Sequence, residues 1–183
     1  MKRNFILIPG LLLALTAIAR QPNRGYRGFV DVSNDVHRTQ WIESTTAYYS
    51  GLQTSHGYQF NPWLFAGAGI GVENCRKFDS YIIPVFVQGR VDLRLGKFTP
   101  FGDVRVGYNL SGGGGAYFSP HIGYRFNWGR KVGINVGAGL TLQGYTAAVY
   151  DVVISPEGYW TMNYIGDSNE CNVYFSFRLG LDF

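Results

Sequence analysis

The sequence predicts an all-β chain: an eight-stranded antiparallel up-and-down transmembrane β-barrel, with short turns at one end and longer loops at the other. Three observations predict it. Phe175, Phe177, Leu179, Leu181 and Phe183 alternate with Ser176, Arg178, Gly180 and Asp182, so one face of that strand is wholly apolar and the other small or charged. Only 15% of residues are charged, against about 25% in an ordinary soluble domain, while Gly numbers 25 and Tyr and Phe 13 each. Lys77, Lys97 and Lys131 all fall where turns are expected, whereas a wetted sheet carries lysine along its strands. Apolar outside and polar inside is the pattern of a wall between lipid and lumen.

Residues 1–19 read as a secretory signal, with basic Lys2 and Arg3, an apolar run from Phe5, and the small-x-small site Ala17-Ile18-Ala19. Pro9-Gly10 interrupts the run, which is also shorter than the roughly 20 residues of a spanning helix. Residues 20–183 then form the single barrel domain. The formal charge of +4 falls to about +2 without Lys2 and Arg3, and no basic run or basic helix marks a nucleic-acid surface.

The strands follow from period-two alternation bounded by Gly, Pro, Asn and Ser. The first spans residues 25–36 and the second 44–60. The third, 64–75, sets Leu64, Ala66, Ala68, Ile70 and Val72 against Phe65, Gly67, Gly69, Gly71 and Glu73. The fourth, 81–95, places Val85, Val87, Val91 and Leu93 outside, with Gln88, Arg90, Asp92 and Arg94 inside. The fifth, 101–110, has Val104, Val106 and Tyr108 outside, and Asp103, Arg105 and Asn109 inside. The sixth, 117–128, alternates Phe118, Ile122, Tyr124 and Phe126 with Ser119, His121, Arg125 and Asn127. The seventh, 131–145, alternates Val132, Ile134, Val136, Ala138, Leu140 and Leu142 with smaller or polar residues, and the eighth is 175–183.

Connections at 61–63, 96–100 and 129–130 are short; those at 37–43, 76–80, 111–115 and 147–169 are longer or richer in glycine and polar residues. This is the membrane-barrel arrangement, in which short turns are periplasmic. Charge complementarity predicts Arg94 opposite Asp103 and Asp92 opposite Arg105, because a two-residue slip would set Asp92 against Asp103. Trp63, Tyr81, Tyr108, Tyr124, Trp128 and Phe183 lie near strand ends, where interfacial aromatic girdles belong.

The segments Thr54-Ser55-His56-Gly57-Tyr58-Gln59-Phe60-Asn61-Pro62 and Gly67-Ala68-Gly69-Ile70-Gly71, within this pattern, resemble the small eight-stranded outer-membrane barrels of the OmpX and OmpA-barrel type. The resemblance covers essentially all of residues 20–183. It implies a bacterial outer-membrane location and contact with lipopolysaccharide. It also implies that the barrel-insertion machinery reads Phe175, Phe177, Leu179, Leu181 and Phe183. That signal often carries glycine where this chain has Arg178.

An eight-stranded lumen is just wide enough for side chains to fill it. Glu73, Arg90, Asp92, Arg94, Asp103, Arg105, Arg125, Arg178 and Asp182 are therefore expected to form an internal ion-pair network, with an arginine-lined narrow channel as the alternative. Some barrels of this resemblance modify lipid A or phospholipids. Here Ser119 and His121 share a lumen-side face while Ser55 and His56 lie on opposite faces, which is thin material for a nucleophile and base. Cys75 and Cys171 are a possible disulfide in an exported chain; no CxxC spacing suggests a metal.

The stretches 145–154 and 159–165 are strand-like and flank the turn sequence Ser155-Pro156-Glu157-Gly158. They point to a projecting hairpin carrying Tyr150, Tyr159, Trp160 and Tyr164 to a surface partner, or to a loop packed over the mouth. The expectation is a monomeric, non-catalytic barrel without cofactor, acting in envelope structure or surface interaction.

Overall fold

The computed structural model of the chain describes residues 24–39, 45–75, 80–93, 96–111, 114–128, 132–154 and 159–183. The expected signal segment, Arg94, and the side chains of Cys75 and Trp128 lie outside the described residues.

Nine strands alternate along the chain: β1 Gly25–Thr39, β2 Thr45–Asn61, β3 Leu64–Cys75, β4 Ser80–Ile82, β5 Pro84–Asp92, β6 Phe98–Asn109, β7 Gly115–Trp128, β8 Val132–Ile154 and β9 Trp160–Asp182. They make one antiparallel sheet that closes on itself, since β2, at one end of the order β2-β1-β9-β8-β7-β6-β5-β3-β4, also pairs with β3 toward the other end. Starting at Gly25, the partners run through Gln59, Phe65, Arg90, Asp103, His121, Gly139 and Ser176, and return to β1 at Asp35. The stagger from residue 25 to residue 35 forces the strands of the ring to tilt against its axis.

Alternation dictates which face closes inward. Along β5, Pro84, Phe86, Gln88, Arg90 and Asp92 are buried while Val85, Val87, Gly89 and Val91 are exposed. The same alternation in β9 leaves Phe175 68% and Phe177 58% exposed and Asp182 0% exposed. The ring is thus polar within and apolar without. At one end, the turn end, Asn61 accepts hydrogen bonds at Oδ1 from Trp63 N (3.0 Å) and Leu64 N (2.8 Å), and Pro62 fixes the intervening backbone. The opposite, loop end carries the connections expected to be long.

Four expectations need correction. The fourth strand is two pieces, because Pro84 has no N–H to continue the ladder and the pairing with β3 is interrupted at Ile83. The predicted register fails: Arg90 faces Asp103, Gln88 faces Arg105 and Asp92 faces Phe101. The chain turns earlier than expected, so β6 begins at Phe98 rather than at residue 101. Inward side chains converge on the axis, where charges pair across the lumen, and opposite-charge pairs along one ladder are unnecessary.

Of the two readings of 147–169, the described residues form the ladder of the projecting hairpin and not a loop packed over the mouth. β8 and β9 run on together to the pair Ile154 and Trp160, with one irregularity between Val149 and Tyr150. Finally, Phe183 does not stand out with the apolar row. It is 8% exposed, bonded through its backbone to Gly28 in both directions (2.9 and 3.0 Å), with its ring beside that of His56 (centroids 6.4 Å apart).

Candidate functional site

The first candidate is the lumen itself. At the turn end, β1, β5, β7, β8 and β9 bring together Arg27, Arg90, Asp92, Arg125, Asn135 and Asp182, because each falls on the inward beat of its strand. Asp182 accepts from Arg27 Nε (3.0 Å), Arg125 Nε (3.0 Å) and Asn135 Nδ2 (3.0 Å). Asp92 takes Arg27 (3.0 Å) and Arg90 (2.9 Å). Arg27 also donates to Gln59 Oε1 (2.8 Å), and Arg90 to Asn135 Oδ1 (2.7 Å). Two carboxylates hold three guanidiniums here.

Nearer the loop end, Arg105 pairs with Asp31 and lies 3.4 Å from Asp103, which also holds Arg178 at 2.9 Å. Gln88 donates to Asp103 and accepts from Ser55. Gln53 donates to Glu73 (2.7 Å) and accepts from Arg105, and Gln143 donates to the other Glu73 oxygen (2.8 Å). Four phenylalanines, Phe29, Phe65, Phe86 and Phe101, point inward among these charges. Their faces carry the guanidiniums: Arg90 lies 3.6 Å from the Phe101 centroid, Arg27 4.7 Å from Phe29 and Arg105 5.0 Å from Phe86. Guanidinium stacking on an aromatic face is favourable, so these rings fit a charged interior.

The middle of the lumen is consequently filled. Between Asp31, Arg90, Asp103, Arg105 and Arg178 the remaining space is about 10 Å³, no more than a single water occupies. Of the sequence-predicted network, Glu73, Arg90, Asp92, Asp103, Arg105, Arg125, Arg178 and Asp182 all lie inside. Glu73 makes amide contacts and belongs to no ion pair among the described residues. Arg27, Asp31, Asp35, Gln53 and Tyr117 were missed. The beat Arg27, Phe29, Asp31, Ser33, Asp35 in the first strand was the available signal.

The hydroxyl groups of the two hydroxyl–histidine pairs are engaged in other contacts. Ser119 Oγ reaches His121 Nδ1 only at 3.5 Å; it donates to Leu140 O (3.2 Å), shares a bond with Thr141 (2.8 Å) and accepts from Arg178. Both residues are buried within the filled interior. Ser55 is inside and His56 outside, as expected. On the outer face Thr54 Oγ1 donates to Phe29 O (3.1 Å) and so accepts from His56 Nε2 (3.0 Å), which leaves Nδ1 to accept from the Tyr26 hydroxyl (2.6 Å). Every polar atom of this small outer cluster therefore has a partner.

The second candidate is the β8–β9 ribbon. Pairing of β7 with β8 ends at Gln143, and that of β1 with β9 at Phe175. Beyond them the two strands pair only with each other among the described residues. Tyr150 (55%), Tyr159 (71%), Trp160 (72%) and Tyr164 (57%) are all exposed. Tyr150 and Tyr164 face each other with ring centroids 5.9 Å apart, and the Tyr164 hydroxyl donates to Asp167 (2.8 Å), an interaction that raises the phenol above its ordinary pKa. Cys171, near the base of the ribbon, is exposed and free. Its strand is not a neighbour of the strand carrying Cys75.

No family model matches the chain, and no curated protein matches it closely enough to count as a relative.

Proposed function

We propose that the protein is a non-catalytic β-barrel of the bacterial outer membrane, acting in envelope structure or surface interaction through its projecting ribbon. The single observation that carries this reading is the inversion of polarity: ion pairs are buried in the ring, while valine, leucine, isoleucine and phenylalanine cover its exterior. Water does not favour such an exterior, and lipid does.

Exposed aromatics at the two ends support it. Tyr58, Phe60, Trp63, Phe98 and Phe126 crowd the turn end, with the ring pairs Tyr58–Phe60 (5.3 Å) and Phe98–Phe126 (5.1 Å); Tyr48, Tyr81 and Tyr108 mark the loop end. From Phe98 to Tyr108 along β6, the chain climbs about 25 Å, at about 3.3 Å per residue and a tilt near 40°. That matches the apolar band of an outer-membrane barrel. In this reading the turn end is periplasmic and the ribbon lies outside. Lipopolysaccharide and the insertion machinery are the implied contacts, and the chain works as a monomer without cofactor.

The test is cell fractionation with protease. The chain should sediment with outer membranes and resist carbonate extraction. Protease added to whole cells should cut within 145–172 and leave the ring intact. Recovery as a soluble monomer in detergent-free buffer would overturn the reading.

A further inference from the structure

Above the mouth, the β8–β9 ribbon changes what its outer side presents. The pairs Val149–Gly166 and Tyr150–Tyr164 leave Ile165 as an extra residue on β9, a bulge next to Gly166, whose φ of 152° glycine alone adopts freely. One extra residue reverses the parity of the strand. Below the bulge, Val173 and Phe175 share the ring's outer side with Leu142 and Leu140; above it, Tyr164, Met162 and Trp160 take that side together with Tyr150 and Val152. The result is an aromatic and apolar ladder whose members are 45–72% exposed, with the Tyr150 and Tyr164 rings in contact.

The ladder is separate from the apolar band of the ring. From Leu142 to Tyr150 the strand climbs about 26 Å, and the rungs Thr146–Asn169 and Ala148–Asp167 intervene on the same side. Charge then selects the occupant. Residues 145–172 contain Asp151, Glu157, Asp167 and Glu170 and no Lys, Arg or His. Asp167 stands at the foot of the ladder, where it accepts from the Tyr164 hydroxyl at 2.8 Å, and Asp151 is exposed on the reverse side of β8. This charge repels anionic lipid and nucleic acid, and a second copy would double the carboxylates at the contact. A saccharide would set its hydroxyls against Val152 and Met162, which offer no hydrogen bond.

We propose that the ladder docks a basic amphipathic polypeptide segment of a partner protein. Its apolar side chains cover Tyr150, Val152, Trp160, Met162 and Tyr164, and its Lys or Arg side chains reach Asp151, Asp167 and Glu170. Tyr, Trp and Met are the residues enriched at the centre of protein interfaces, with charge at the rim, and complementary charge both steers the encounter and rejects acidic competitors. The inference rests on the surface-interaction reading and deepens it by naming the partner's chemistry.

The probe is a short fluorescent peptide alternating lysine and leucine, titrated by anisotropy against the folded full chain in neutral detergent, with protein-free detergent subtracted. Glutamate–leucine and lysine–serine peptides of the same length control for charge and for apolar contact. Saturable binding of the lysine–leucine peptide alone is expected, weakened about tenfold by Trp160→Ser with Met162→Ser and weakened by added salt. Asp151→Lys, Asp167→Lys and Glu170→Lys together should transfer binding to the glutamate–leucine peptide, a gain that misfolding cannot mimic. Absence of saturable binding, equal binding of either control, indifference to the Trp160 and Met162 changes, ribbon-dependent dimerisation in place of peptide binding, or no switch on charge reversal would each overturn the proposal. If the ribbon still captures a partner in surface pull-down, such a failure rejects the basic segment alone and leaves the surface-interaction reading standing.

Discussion

Asp182 shows how a single inward position carries the turn-end cluster. Its two oxygens serve Arg27, Arg125 and Asn135 from three other strands, and it is wholly buried. Asp182→Asn keeps the shape and removes the charge, leaving the guanidiniums to share Asp92. Breaking a buried pair in this way costs about 3–5 kcal/mol. The midpoint of urea unfolding should fall accordingly, while Asp151→Asn on the exposed ribbon should leave it unchanged. Gly180 tests the same packing from the opposite side. A β-carbon there would fall on Asp31 Oδ1, in the carboxylate whose Oδ2 holds Arg105. Gly180→Ala should therefore destabilise by about 1–3 kcal/mol, as overpacking does, although alanine is ordinarily neutral or favourable in a strand that tolerates it. An unfolding midpoint equal to wild type would show that the Asp31–Arg105 pair can move aside.

Among the elements, the ribbon differs from the ring in what sustains it. Ring strands other than the short β4 have a neighbour on each side, whereas the outer parts of β8 and β9 have one each among the described residues. An isolated two-stranded ribbon is at best marginally stable, and its open edges are places where another chain can add. Excising residues 148–167, so that Ala147 joins Ser168 across the ladder pair they already form, should leave the unfolding midpoint of the ring within about 0.5 kcal/mol. It should also abolish surface association in pull-down. Loss of the ring on excision would mean that the ribbon is part of the fold.

What was legible in the sequence follows the same division. Parity was legible: residue types alternate, burial follows, and Glu73, Arg90, Asp103 and Arg178 point inward as read. Register was not, because Arg105 finds Asp31 and Arg178 finds Asp103 across the interior, contacts that adjacent-strand pairing rules do not contain. Strand length past the mouth was not fixed either. Polar alternation at 145–170 serves equally for ladder or loop until a partner strand is given. Phe183 follows the outward parity, yet its neighbours Gly28 and His56 make a seat that covers it.

For the whole molecule, a ring of eight staves with a stagger of ten residues, from Gly25 to Asp35, is narrow enough for side chains to meet at the axis. They meet as ion pairs, and the space left among Asp31, Arg90, Asp103, Arg105 and Arg178 is about 10 Å³. A hydrated ion needs a continuous water path, and these side chains narrow the middle of the ring to about the size of one water. Reconstituted in lipid vesicles, the protein should pass no more potassium than protein-free vesicles. Arg105→Ala with Arg178→Ala removes the two side chains that span the loop-side half and leaves Asp31 and Asp103 facing vacated volume. That pair of changes should admit water and raise cation leak, with little anion leak, because the unbalanced charge is negative. Stepwise currents through the unaltered protein would show that the arginines swing aside and line a pathway, and the lumen would then have to be read as a gated pore.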